Sequence, residues 1–128
     1  MFNEEELLVV KEKALENHIP IIMDDTLEVI AKILTEKKPN RILEIGTAVG
    51  YSAICFSKYL NENGYIDTIE LDEQRATKAI ENIGKMDLDS KINVMIGNAV
   101  DILPIINKKY DVVFIDAAKG KYPIFLEH

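Results

Sequence analysis

The sequence holds a single cysteine, Cys55, in 128 residues, so no disulfide can close within it. It has no apolar run near the ~20 residues that cross a bilayer. Its acidic start, MFNEEELLVVKEK, has no signal-peptide pattern. These absences point to a cytoplasmic protein. Basic residues are not in excess either. Fifteen Lys and Arg against 22 Asp and Glu give a net charge of −7, which argues against a broad nucleic-acid footprint. Repeats, low-complexity tracts and internal linkers are missing. What is present is 48% apolar and 29% charged residues, enough for one domain with a real core.

The apolar pattern changes along the chain. From Asn3 to about His18, Leu7, Leu8, Val10, Ala14 and Leu15 fall at helical spacing. HIPIIM interrupts that run, because proline fixes φ and lacks a donor. Asp24 or Asp25 can cap a second helix with Leu27, Ile30, Ala31 and Leu34 on one face, ended by KKPN. Residues 1–38 thus read as a helical cap. Residues 39–125 then alternate strand and helix: strand 41–45, helix 50–60, strand 65–70, helix 72–86 with Ala76, Ala79, Ile80 and Ile83 on one face, strand 91–96, a short helix from Asn98 limited by Pro104, and strand 110–115. YDVVFID reads as a parallel strand buried on both faces. The alternation predicts an α/β, Rossmann-like parallel sheet of about four strands behind two N-terminal helices.

Ligands of such sheets bind outside the carboxyl ends of the strands. The residues predicted there are Glu44, Ile45 and Gly46, then Glu70, then Gly97, Asn98 and Ala99, and finally Asp116. The turn after the first strand reads ILEIGTAVGYSA. It has Glu44, Gly46 and Gly50 where a dinucleotide turn has G-x-G-x-x-G. An acid facing the ligand there would repel a pyrophosphate and suit a ligand with an ammonium and a sulfonium. Glu70 can accept hydrogen bonds from a ribose. A ribose without a pyrophosphate fits S-adenosylmethionine and disfavours a nicotinamide cofactor. Neither GKM nor GKY completes a phosphate loop. Asp116 and Lys119 suit metal-assisted proton removal from a hydroxyl. Taken singly, each residue has a plainer reading: a strand-end acid, a loop glycine, a helix cap, a solvated lysine. Cys55 reads as a core thiol, His18 as a cation at a helix C-terminus, and Tyr51 and Tyr122 as packing residues.

ILEIGTAVGYSA, TIELDEQRATKAIENI, GNAVDILP and YDVVFIDAAKGKY together resemble the metal-dependent, S-adenosylmethionine-dependent O-methyltransferases of the catechol and caffeoyl-CoA type. Among these, the motifs look most like bacterial enzymes that methylate 5-hydroxyuridine in tRNA. The resemblance implies that Glu44, Gly46, Thr47 and Gly50 line the methionine and sugar, with Ser52 near the cofactor carboxylate. It implies Glu70 on the ribose, Asn98 and Ala99 by the adenine, Asp116 as a Mg²⁺ ligand touching the methionine end, and Lys119 as the base. Many relatives have Asp where Asn98 stands. The acceptor is a hydroxyl, in tRNA or on a small catechol-like or phenolic molecule. The family's Asp-Asn metal pair follows a later strand that the chain lacks. The chain is therefore expected to be the N-terminal part of a longer enzyme, inactive alone and serving only as a cofactor-binding or interaction module. Residues 126–128 read as native or as a tag remnant, and an engineered truncation is favoured. Residues 110–116 are expected to form an exposed apolar edge, and copies are expected to self-associate through it or through the surface that the missing helices would cover.

Overall fold

The computed structural model describes residues 2–106, 108–115 and 124–126. Two helices come first, α1 (Glu4–Glu16) and α2 (Asp24–Lys37). Alternation follows as β1 (Arg41–Ile45), α3 (Tyr51–Ser57), β2 (Tyr65–Glu70), α4 (Glu73–Lys85), β3 (Ile92–Ile96), α5 (Ala99–Ile102) and β4 (Val112–Ile115), with a last strand β5 (Ile124–Leu126). A 3₁₀ turn at Leu103–Ile105 follows α5, and Pro104 lies within it. The strands form one sheet in the order β3-β2-β1-β4-β5. The first four are parallel, and β5 pairs antiparallel with β4, Phe114 opposite Ile124. The expected α/β parallel sheet of four strands behind two helices is what the chain forms.

β5 overturns one expectation. It occupies the side of β4 that was to be an open edge, so β4 is an interior strand, and self-association through it loses its basis. Several boundaries also move. β4 starts at Val112, because Asp111 turns its carboxylate back to accept from the backbone N–H groups of Asn40 and Arg41, at 2.6 and 3.0 Å. α3 ends at Ser57 rather than residue 60, where i→i−3 bonds from Tyr59 and Leu60 tighten the chain. At α2 the cap is Met23, which makes no side-chain cap bond. Asp24 and Asp25 lie in the first turn, where the helix dipole favours acids, and Asp24 pairs with Lys11 at 2.8 Å. His18 lies past the C-cap Asn17 with φ of 55°.

The sheet's two faces are unequally covered. On one face Ile42, Ile66, Ile92, Val112 and Phe114 pack with residues of α1, α2 and α3 in a single large cluster, where Phe56 stacks on Phe114 at 4.4 Å. On the other, the fully buried apolar residues among those described are Leu43, Ile69 and Tyr110, flanked by Met95, Ile102 and Val113. β4 shows the contrast: Val112 and Phe114 are buried, whereas Val113 and Ile115 are half-buried. The expected burial on both faces is therefore met on one. In α4 the buried set is Ala76, Ala79, Asn82 and Ile83, and Ile80 is half exposed. Cys55 is buried, as expected of a core thiol.

Candidate active site

The carboxyl ends of β1, β2 and β3 bring together the turn 46–50, Glu70, and the segment Gly97–Ala99. The turn is shaped by its backbone. Gly46 has φ of 100° and Gly50 φ of 87°, values glycine adopts without strain, and Ala48 sits between them at 48°. The turn is docked on β2: Gly46 N–H donates to Ile69 O at 2.8 Å. A Cβ on Gly50 would meet Ala79 at about contact distance, 3.4 Å, so what the position demands of glycine is its φ of 87°. Asn82 of α4 ties the same turn from below, its amide donating to Val49 O at 2.8 Å.

Glu44 is placed differently from the expectation. It was to face a ligand; instead it points into the interior on the α3 side of the sheet and is 0% exposed. One carboxylate oxygen accepts from Thr68 Oγ1 at 2.8 Å and the other from Ser52 Oγ. Thr47 Oγ1 lies 2.6 Å from Thr68 Oγ1. Because Thr68 gives its proton to Glu44, Thr47 is the donor of that pair. This buried chain of hydroxyls pins the turn to β2 and α3. A buried carboxylate needs such donors, since leaving them out would cost several kcal/mol. Thr68 belongs to the network as fully as Ser52, and sequence reasoning missed it. Its signal was a threonine between Asp67 and Ile69 in a strand that runs through the sheet.

Glu70 ends β2 and is 8% exposed. Its Oε1 accepts from Ala48 N–H at 2.7 Å and its Oε2 from Asp72 N–H at 2.8 Å. A carboxylate has about four acceptor positions, so two remain for a ligand's hydroxyls. Leu71 follows it and is 69% exposed. Asp72 caps α4 by accepting from Gln74 and Arg75 N–H. Leu71 was overlooked in the sequence, though an apolar residue between an acid and a helix cap is a legible signal. Across the crevice, Gly97 N–H donates to Glu70 O at 2.9 Å, and Asn98 caps α5 by accepting from Val100 N–H at 3.0 Å. Asn98 is exposed and Ala99 half-buried.

The structure thus gathers Gly46, Glu70, Asn98 and Ala99 around one crevice, with Glu44, Thr47, Gly50 and Ser52 buried beneath it. Asp116 and Lys119 lie outside the described residues, as does Tyr122. Among the described residues no group of three potential metal ligands occurs. Beside the turn, Tyr51 and Cys55 lie against each other. Burial, then its contact with Cys55, pushes the Tyr51 phenol up, and burial pushes the Cys55 thiol up to about 11. Both stay neutral near pH 7 and serve packing.

The comparisons agree with this architecture. Residues 4–128 match a family model described as O-methyltransferase. The chain is 35% identical over 105 residues to a catechol O-methyltransferase of Niastella koreensis, covering 79% of this chain and 46% of that protein. It is 32% identical over 100 residues to the catechol O-methyltransferase of Sus scrofa, covering 74% and 54%. The O-methyltransferase TomG from Streptomyces achromogenes, solved in complex with SAM, superposes with a TM-score of 0.80 at 27% identity, covering 90% of this chain and 54% of that one. An O-methyltransferase from Bacillus cereus, solved with SAH, gives 0.79 at 27% identity, covering 90% and 55%. The chain spans about half the length of the curated relatives it matches. A crevice with an acid at the end of β2 and a glycine turn after β1, on a sheet shared with these proteins, carries one conclusion: the chain belongs to the S-adenosylmethionine-dependent O-methyltransferase family.

Proposed function

We propose that this chain forms the cofactor-binding half of an O-methyltransferase that uses S-adenosylmethionine to methylate a hydroxyl group. The observation that carries the reading is Glu70: a nearly buried carboxylate at the rim of the crevice, oriented by two backbone N–H groups and with acceptor positions to spare. In this reading it takes the ribose hydroxyls. Leu71 offers an apolar face to the adenine, and Asn98 and Ala99 border its edge. Gly46 and Thr47 bring backbone close to the sugar and methionine. Glu44, Thr68 and Ser52 hold the turn in shape, so that positioning precedes binding. When bound, the cofactor supplies an electrophilic methyl group, and the acceptor oxygen loses its proton as it takes the methyl. Lys119 and Asp116 are the candidates for the proton and for Mg²⁺. Both lie outside the described residues.

Two acceptors follow. A small catechol-like phenol is favoured by the names of the relatives. The combined motifs, by their resemblance, favour 5-hydroxyuridine in tRNA, against the weight of the −7 net charge. Calorimetric titration with S-adenosylmethionine tests the cofactor, and Glu70→Gln should weaken binding roughly tenfold or more, the worth of charge-assisted hydrogen bonds. An intact protein that binds neither S-adenosylmethionine nor its demethylated product would sink the proposal. Methyl transfer to catechol, compared with transfer to tRNA, separates the two acceptors.

A further inference from the structure

A second cavity, of about 140 Å³, lies between α1, α4 and the β1–α3 turn. Val10, Ala14 and Val49 give it apolar walls, and Lys13, Lys78 and Asn82 give it polar ones. Asn82 is 4% exposed. Its Nδ2 donates to Val49 O, and that carbonyl can only accept, so the orientation of the amide is fixed. Its Oδ1 then faces away from that bond, and no donor among the described residues reaches it. A buried acceptor left without a donor is costly, and a native structure seldom keeps one. Lys13 has no acidic partner among the described residues, and Lys78 has only a long 3.5 Å contact with the exposed Glu81.

We propose that this cavity is a binding site for a short aliphatic hydroxycarboxylate, separate from the cofactor crevice. Each part of that class answers a feature of the cavity. The carboxylate faces the two lysines, the hydroxyl donates to Asn82 Oδ1, and the short carbon chain lies on the alanine and valines. An amino acid fits less well, because its ammonium would meet the same lysines. Water alone, roughly four or five molecules by volume, would satisfy the amide but leave the lysines and the apolar walls unused.

The test is a titration of the ¹⁵N-labelled protein with lactate, propionate and isopropanol, following the amide signals of Ala14, Val49 and Asn82. Propionate lacks the hydroxyl and isopropanol has a methyl in place of the carboxylate. Lactate should give saturable shifts at all three residues, and the two analogues should bind several-fold more weakly. Lys13→Gln and Lys78→Gln, on the rim and neutral to folding, should each weaken lactate about fivefold, as expected for a lost charged hydrogen bond. Shifts that never saturate, or that are equal for all three probes, would mean water only and overturn the site. Displacement of lactate by S-adenosylmethionine would place it in the cofactor crevice and overturn it as well. Because S-adenosylmethionine binding is measured separately, failure here leaves the methyltransferase reading standing.

Discussion

Of the buried carboxylates in the sheet, the two most deeply buried among the described residues, Glu44 and Asp67, are satisfied in opposite ways. Glu44, near the carboxyl end of β1, accepts from the hydroxyls of Ser52 and Thr68. Asp67, in the amino-terminal half of β2 and 1% exposed, accepts from Tyr110 OH at 2.7 Å and from Asn93 and Lys108 at 3.3 Å each. The first set comes from short, stiff side chains on elements already packed around the crevice. The second borrows a long lysine from the segment before β4 and opens onto a polar groove lined by Tyr65, Lys91 and Lys108. The lesson is that a buried acid can serve rigidity at one end and tethering at the other. Neutral hydroxyls close to the turn leave no mobile charge beside the crevice. A half-exposed lysine, screened by solvent, adds little energy.

Breaking the Glu44 network should have the largest effect. Glu44→Ala strands two buried hydroxyls and opens a cavity, so unfolding in urea should show a loss of about 3–4 kcal/mol. Glu44→Gln keeps an acceptor and should lose less than half of that. Equal losses would mean that volume matters here and the hydrogen bonds do not.

The alkaline limb separates the two ends by pH. The Cys55 thiol, beside the Glu44 network, is raised from 9.0 to about 11. Its contribution is fully present below pH 9 and is lost as pH rises to about 11, on the order of 2–3 kcal/mol. Burial, then its bond to Asp67, also pushes the Tyr110 phenol up, so its contribution is present below its ordinary value of 10.0 and is lost only above it. Stability against pH should therefore flatten between 9 and 10 in Cys55→Ala, but only above 10 in Tyr110→Phe. Identical curves for the two variants would remove the distinction.

Smaller effects follow at the Asp67 end. Asp67→Asn retains the shape and one acceptor, and should cost about 1–2 kcal/mol by thermal unfolding. Lys108→Met removes only the half-exposed cation and should change stability by less than about 1 kcal/mol. A larger loss from Lys108→Met than from Asp67→Asn would reverse the account of the tether.

Much of this was legible in the sequence, and the reason is local. β1 and β2 fall on residues 41–45 and 65–70 as the pattern predicts, since a short apolar run between turn residues leaves little choice. The ends of helices shifted by a few residues, because their closing bonds depend on which carbonyl the next N–H finds. Ile80 and Asn82 show a deeper limit. Periodicity puts the isoleucine in the core, yet the asparagine is buried because Val49 O waits beneath it.

By itself the sequence determined the order of helices and strands, the parallel sheet, and the turn whose glycines take positive φ at Gly46 and Gly50. These depend on φ preference and on residue spacing within a few positions. Tertiary structure alone decided that Glu44 turns inward, because Thr68 lies 24 residues away and becomes a partner only when β1 and β2 pair. It also decided that β4 is covered, because β5 can be recognised as its neighbour only when the chain has returned antiparallel to it. Hydrogen-bond partners distant in sequence leave no periodic trace, and they settle where a buried charge points.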